Sequence, residues 1–218
     1  MNPSPLDPDT GAVQDAQDRV CLQIAAALGT RGWCVTPDFL PAVQVRAARA
    51  ALQVSWRRGE FRPAGVGRGA GLQYRPEVRT DRMRWLDPGD CAPAHRQYLA
   101  VLEPLRLAIN HTLFLGLFEF EAHLTVYPPG TYYRKHLDQF RGPGSRCVSC
   151  ILYLNEAWQP ADGGQLRIYT DARDEHVCTE IQPLGGQLVT FLSSRYLHEV
   201  LPASRERMGI TGWFRTRD

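Results

Sequence analysis

No apolar run in this 218-residue chain approaches the ~20 residues that a membrane-crossing helix needs, and its charges almost cancel, leaving a formal net charge of +2. The first absence argues against a membrane partner. The second argues against nucleic acid, which binds through a strongly basic surface. Lysine is scarce beside arginine, whose planar guanidinium suits carboxylate or phosphate. The opening stretch, MNPSPLDPDTGAVQDAQD, has acids and prolines where a secretion signal has a basic start and an apolar run, so a cytoplasmic location is expected. Six scattered cysteines make no disulfide framework and read as free thiols. Cys147 and Cys150 form a C-x-x-C, but they fall in the strand-like run RCVSCILYLN, where a three-residue offset sends them to opposite faces. Residues 63-71, PAGVGRGAG, lack the Gly-Lys-Ser/Thr ending and the strand-loop-helix setting of a phosphate loop, and read instead as a mobile surface loop able to cover a site. Internal repeats are absent.

What the chain does contain divides into two textures. Residues 1-16, rich in proline and acids, read as a disordered tail. A helix follows from Asp18 to Leu28, with Val20, Ile24 and Leu28 on one face and Gly29 and Gly32 as its stop. Residues 33-40 give a short strand and turn, residues 43-56 a second helix after Pro41, and residues 95-115 a third that Pro104 should kink or divide. Beyond residue 117 come seven short β-branched and aromatic runs, bounded by Gly, Pro, Asn, Asp or Ser: FEFEAHLTVY, TYYRKHLD, RCVSCILYLN, GGQLRIYT, GGQLVTFL, HEVLP and MGITGWFRT. Helices first and strands after predict an α+β chain, an antiparallel sandwich or barrel buttressed by helices.

The chemistry centres on YYRKHLDQF, residues 132-140. On a strand, His136 and Asp138 face the same way while Leu137 turns to the opposite side. Such a pair is common on solvated strands, and an iron site of two histidines and one carboxylate needs a second histidine from elsewhere. His95 and His111 fall in the third helix, and His176 lies in a charged loop. His198 opens the strand HEVLP late in the β region. Arg207, nine residues on, enters the last strand; if those two strands are adjacent, it lies deeper in the same barrel and offers a two-pronged donor to a carboxylate, which the Tyr153 hydroxyl can also reach.

The strings YPPGTYYRKHLDQF, RCVSCILYLN, GGQLRIY and LHEVLPASRERMGITGWF resemble the prolyl 4-hydroxylase-domain branch of the Fe(II)/2-oxoglutarate oxygenases, which includes oxygen-sensing hydroxylases and bacterial relatives. GWCVTPDFL, GEFRPAGVGRG and VRTDRMRWLD extend the resemblance, which covers roughly residues 30-216. It implies a double-stranded β-helix (jelly-roll) core over 117-216, buttressed by helices over 17-115, in one domain spanning 17-218. It implies Fe(II) on His136, Asp138 and His198, and 2-oxoglutarate held by Arg207 and Tyr153, with Tyr127, Thr211, Ile151 and Leu166 lining its pocket. Tyr133, Arg146 and Trp213 match residues around a target proline, and Asp81 an acid that pairs with Arg146 to tie the lid to the barrel. Two departures accompany it: YPPGTYY is one residue shorter than the oxygen-sensor version, and His123 stands where those enzymes carry an apolar residue, as a second-sphere group or a packed histidine.

The implied reaction couples oxidative decarboxylation of 2-oxoglutarate by dioxygen, yielding succinate, to 4-hydroxylation of a prolyl residue in a protein, with ascorbate as a reductant. Elongation factor Tu is the implied substrate of a bacterial-type member, which would act as a monomer. Competing readings are the same chemistry on a free amino acid or small peptide, a noncatalytic sensor that keeps the fold, and a nucleic-acid demethylase. A deep closed pocket would favour the first, absence of succinate formation the second, and strong salt-sensitive nucleic-acid binding the third.

Overall fold

The computed structural model describes residues 8-67, 71-138, 146-171, 174 and 176-217, with side chains from residue 15 onward. Helix α1 (Pro8–Thr30) buries Cys21, Ile24, Ala25 and Leu28, the three- and four-residue spacing of one helix face. It ends where Arg31 and Gly32 both donate backbone N–H to the Ala27 carbonyl, Gly32 supplying a φ of +83°. Residues 8-16, expected in a loose tail, therefore belong to a helix; 1-7 lie outside the described residues. The proline-rich composition hid this because Pro8 stands at the first helical position, where a missing N–H costs nothing.

Strand β1 (Trp33–Thr36) precedes α2 (Ala42–Arg57), which buries Val45, Ala48 and Leu52. Two short strands, β2 (Arg62–Pro63) and β3 (Arg82–Trp85), lead to α3 (Pro93–Leu113). Pro104 does not divide α3. Leu102 and Leu105 flank it and are fully buried, and burying a leucine, worth about 1.5-3 kcal/mol each, offsets the ~3 kcal/mol that an interior proline costs.

The remaining strands are β4 (Glu119–Tyr127), β5 (Tyr133–His136), β6 (Arg146–Tyr153), β7 (Leu166–Tyr169), β8 (Cys178–Ile181), β9 (Leu188–Leu192), β10 (His198–Val200) and β11 (Arg207–Arg215). Of these, β8 is the one absent from the seven runs read in the sequence; it pairs with β7 along four residues. A seven-stranded sheet has the order β1-β9-β6-β11-β4-β3-β2, and a four-stranded sheet the order β5-β10-β7-β8, with antiparallel pairing throughout. This is the double-stranded β-helix in an α+β setting. One face of the large sheet, with Leu124, Val126, Val148, Leu152, Ile210 and Phe214, packs on the helices through Ile24, Leu52, Leu105 and Ile109. Its other face meets the small sheet through Ile151, Tyr153, Val189 and Phe191 against Leu166, Ile168 and Val200.

One expected neighbour relation fails. β10 pairs with β5 and β7, whereas β11 pairs with β4 and β6, so His198 and Arg207 stand on opposite sheets. The nine residues between them bridge the two layers instead of turning a hairpin. No helix among the described residues is long and apolar enough to cross a membrane.

Candidate active site

His198 is the direct cross-strand partner of His136, a register that brings the two imidazoles side by side with ring centroids 4.2 Å apart. Asp138, two residues past His136, returns to the same side: its Oδ1 lies 3.4 Å from His136 Nε2 and its Oδ2 3.5 Å from His198 Nε2. Leu137, between His136 and Asp138 and just past the end of β5, is 45% exposed at the edge of the cavity. One ligand atom from each of the three residues falls within 4.8 Å of the others. His136 Nδ1 is 2.8 Å from the Arg134 carbonyl and His198 Nδ1 3.1 Å from that of Tyr196. A carbonyl only accepts, so each Nδ1 carries the proton and each Nε2 presents its lone pair to the others.

Burial, reinforced by His136 and opposed by Asp138, lowers the His198 pKa to about 4. Burial works to raise that of Asp138, but His198 and His136 outweigh it and hold the carboxyl well below the usual range. Near neutral pH His198 is therefore a neutral imidazole and Asp138 a carboxylate, with His136 Nε2 turned toward that carboxylate. That donor set suits a divalent first-row metal such as Fe(II) and leaves room for further ligands.

The trio opens on a cavity of about 570 Å³ whose far wall is the large sheet. There Arg207 is buried with no carboxylate at salt-bridge distance among the described residues. Its Nε donates to the Gly164 carbonyl at 2.9 Å, and its guanidinium lies 4.9 Å from the ring centres of both Tyr127 and Tyr153. Gly164 has a φ of +69°, and a Cβ there would come within 3.2 Å of Arg207 Cδ, so glycine keeps this cradle open. Arg207 Nη2 and the Tyr153 hydroxyl are buried without a hydrogen-bond partner among the described residues. An unpaired buried cation beside an unpaired phenol is costly, and a carboxylate of a bound acid satisfies both. The distal carboxylate of 2-oxoglutarate fits this requirement.

Tyr127, Thr211, Ile151 and Leu166 line the cavity, as do Tyr133, Arg146 and Trp213 nearer its mouth. Tyr153, whose ring flanks the Arg207 guanidinium, and Asp81 are not among the wall residues. The expected pairing of Asp81 with Arg146 does not occur. Asp81 takes two hydrogen bonds from Arg79, at 2.8 and 2.6 Å, because residues two apart on an extended segment share a side. Arg146 instead donates to Glu121 Oε1 at 2.6 Å and lies flat on Trp213, 3.4 Å from its ring centre. Arg79 stacks on Tyr133 at 4.0 Å, and Tyr133 on His136 at 3.5 Å. A chain of contacts thus runs from Asp81 through Arg79 and Tyr133 to His136.

Several residues at the site were not singled out from sequence. Arg79 and Glu121 are the ion-pair partners just described, and Trp85 packs edge-on against His123 with centroids 5.2 Å apart. Strand parity was the available signal for Glu121, which shares a face with His123 and Tyr127. His123 is buried between Trp85 and Trp213, and burial, with Arg79 and Arg146 nearby, lowers its pKa to about 3. The glycine-rich segment contributes Pro63, Gly65 and Gly67 to the cavity, joined by Leu72 just after it; 68-70 lie outside the described residues.

Residues 122–215 match a family model described as the 2OG-Fe(II) oxygenase superfamily. A crystal structure of a Pseudomonas putida prolyl-4-hydroxylase is 47% identical, with a TM-score of 0.81 over 91% of this chain and 100% of that one. A Trichoplax adhaerens prolyl hydroxylase, solved with a hypoxia inducible factor peptide fragment, superposes with a TM-score of 0.83 at 26% identity, over 93% of this chain and 91% of that one. The Caenorhabditis elegans hypoxia-inducible factor prolyl hydroxylase is 30% identical over 88% of this chain, and human Egl nine homolog 1 is 28% identical over 88%. The chain spans 27% and 45% of the lengths of those two relatives.

Proposed function

Because the chain belongs to the 2OG-Fe(II) oxygenase superfamily, in its prolyl hydroxylase branch, we propose that it 4-hydroxylates a prolyl residue of a protein, using Fe(II) on His136, Asp138 and His198. Arg207 and Tyr153 anchor 2-oxoglutarate in this reading, and the observation that carries it is the buried, unbonded Nη2 of Arg207 across the cavity from the three ligands, with the unbonded Tyr153 hydroxyl on a ring that flanks it. When bound, Fe(II) and 2-oxoglutarate supply the oxidation, turning dioxygen and the keto acid into succinate, carbon dioxide and an oxygen atom for the substrate carbon.

The protein's own residues position and exclude. His136 and His198, each with Nδ1 on a backbone carbonyl, would hold the ion through Nε2. Ile151, Leu166 and Val200 exclude water around the keto acid, while Tyr127 and Thr211 offer hydroxyls beside it. Tyr133, Trp213 and Arg146 form the lip against which the proline ring is set, with Asp81 holding Tyr133 through Arg79. Positioning of this kind selects the carbon that reacts.

Exposed Leu72, Tyr74, Trp85 and Leu137 surround the mouth, which favours a polypeptide segment over a free amino acid enclosed in a sealed pocket. Elongation factor Tu is the proposed protein, the chain acting as a monomer with ascorbate as reductant. The six free thiols suit a reducing compartment, the cytoplasm. The test is aerobic incubation with Fe(II), 2-oxoglutarate and either elongation factor Tu or whole host-cell protein, followed by peptide mass spectrometry and a succinate assay. One added oxygen on one prolyl residue, matched by succinate, is expected. Succinate formed only with free amino acids or small peptides would move the substrate to that class.

A further inference from the structure

Asp138 Oδ2 lies 2.7 Å from Ser149 Oγ, and Ser149 Oγ lies 2.9 Å from Ser193 Oγ, with both serines fully buried. The direction of this chain follows from counting protons. A carboxylate has none to give, so Ser149 donates its one O–H to Asp138, and the second contact runs from the Ser193 O–H to Ser149 Oγ. Ser149 belongs to β6, and Ser193 follows β9, the neighbouring strand of the large sheet, whereas Asp138 follows β5 of the small sheet. The hydroxyls therefore clasp the two sheets together at the carboxylate. The histidines differ, each being oriented by a carbonyl two residues away on its own segment.

We infer that Ser193 and Ser149 form a two-hydroxyl relay that positions Asp138, holding Oδ2 and leaving Oδ1 to bind the ion. The inference rests on the metal reading above. A carboxylate anchored at one oxygen binds a metal through the other alone, which keeps the neighbouring coordination position for the keto acid and dioxygen. Ser193 acts only through Ser149, polarising its hydroxyl and fixing its rotamer.

The test is an anaerobic Mn(II) titration of the full chain and its Ser149→Ala, Ser193→Ala, double and His136→Ala variants, with metal-free melting temperatures recorded in parallel. Ser149→Ala is expected to weaken Mn(II) binding ~10-fold or more, as loss of an outer-sphere partner does elsewhere, Ser193→Ala by less, and the double variant no more than Ser149→Ala alone. Ser149→Thr, which keeps the hydroxyl, should restore the affinity, and Ser149→Ala should alter the visible charge-transfer band of the anaerobic Fe(II)·2-oxoglutarate complex. A purely structural pair of serines would lower the melting temperature and leave Mn(II) affinity alone, which overturns the relay, as do additive losses in the double variant. If Ser149→Ala fails to fold, unchanged affinity in Ser193→Ala overturns it equally. Full Mn(II) affinity in His136→Ala would instead defeat the metal assignment itself.

Discussion

On β4, Ala122, Leu124 and Val126 point at the helices, while Glu121, His123, Thr125 and Tyr127 point into the cavity. β11 repeats the split, with Met208, Ile210 and Phe214 toward the helices and Arg207, Thr211 and Trp213 toward the cavity. The same backbone thus carries two populations one residue apart. The helix-facing set is almost purely aliphatic and aromatic, and its burial supplies folding free energy. The cavity-facing set holds a buried cation with an unbonded Nη2 and a buried histidine held neutral, both of which cost stability. Stability and chemistry are therefore separable by strand parity, and substitutions one residue apart should fail in different ways.

The sharpest contrast comes from His198→Ala, which should abolish iron binding and succinate formation while the metal-free protein still unfolds cooperatively. Retained turnover in that variant breaks the assignment. On the opposite face, Phe214→Ala removes a buried ring that meets Phe120 at 4.8 Å and should cost about 3-5 kcal/mol in chemical denaturation, with Mn(II) affinity of the folded protein unchanged. Arg207→Met joins the two ledgers: 2-oxoglutarate affinity should fall on the order of a hundredfold, the loss of a charge-assisted pair worth about 3 kcal/mol, while the ligand-free protein becomes more stable by calorimetry. A drop in stability instead would mean that the guanidinium is satisfied in the free protein.

The smallest effect is a pH dependence. His123 has its pKa lowered from 6.5 to about 3 by burial, so the native state binds fewer protons than the unfolded one between those values and stability falls as pH falls. From pH 7.5 to 5.5 this one group should remove about 1.4 kcal/mol, and His123→Leu should flatten that part of the stability profile. An unchanged slope would place the acid sensitivity in His95 or His198, whose pKa values are lowered in the same sense.

Legibility in the sequence followed the range of each interaction. The spacing of His136 and Asp138 and the place of His198 at the start of a strand only nominated the trio, and it was the resemblance of the surrounding strings that singled out these three as ligands. The helices were readable from periodicity, except that Pro8 at a helix start looked like tail. Asp81 misled because an ion pair depends on which cation is nearest in space, and Arg79 is two residues away while Arg146 is engaged by Glu121. The separation of His198 and Arg207 onto different sheets was hidden because nine residues can equally turn a hairpin or cross between layers. Ser149 and Ser193 were silent, since a serine inside an apolar strand has no pattern of its own until its partner across the fold is known.

The position of β11 between β4 and β6 also bears on how the molecule is assembled. It is the last strand along the described chain, yet it is central, contributing nine registered pairs to β4 and lying along β6 on its other side. Until it arrives, β4 and β6 present open hydrogen-bonding edges to each other and to any neighbouring chain. Pairing of such long sequence separation forms slowly, which makes the β11-less intermediate the stage most exposed to edge-to-edge aggregation. Arg207 and Thr211 ride on that same strand, so the anchor proposed here for the keto acid is assembled by the step that closes the sheet.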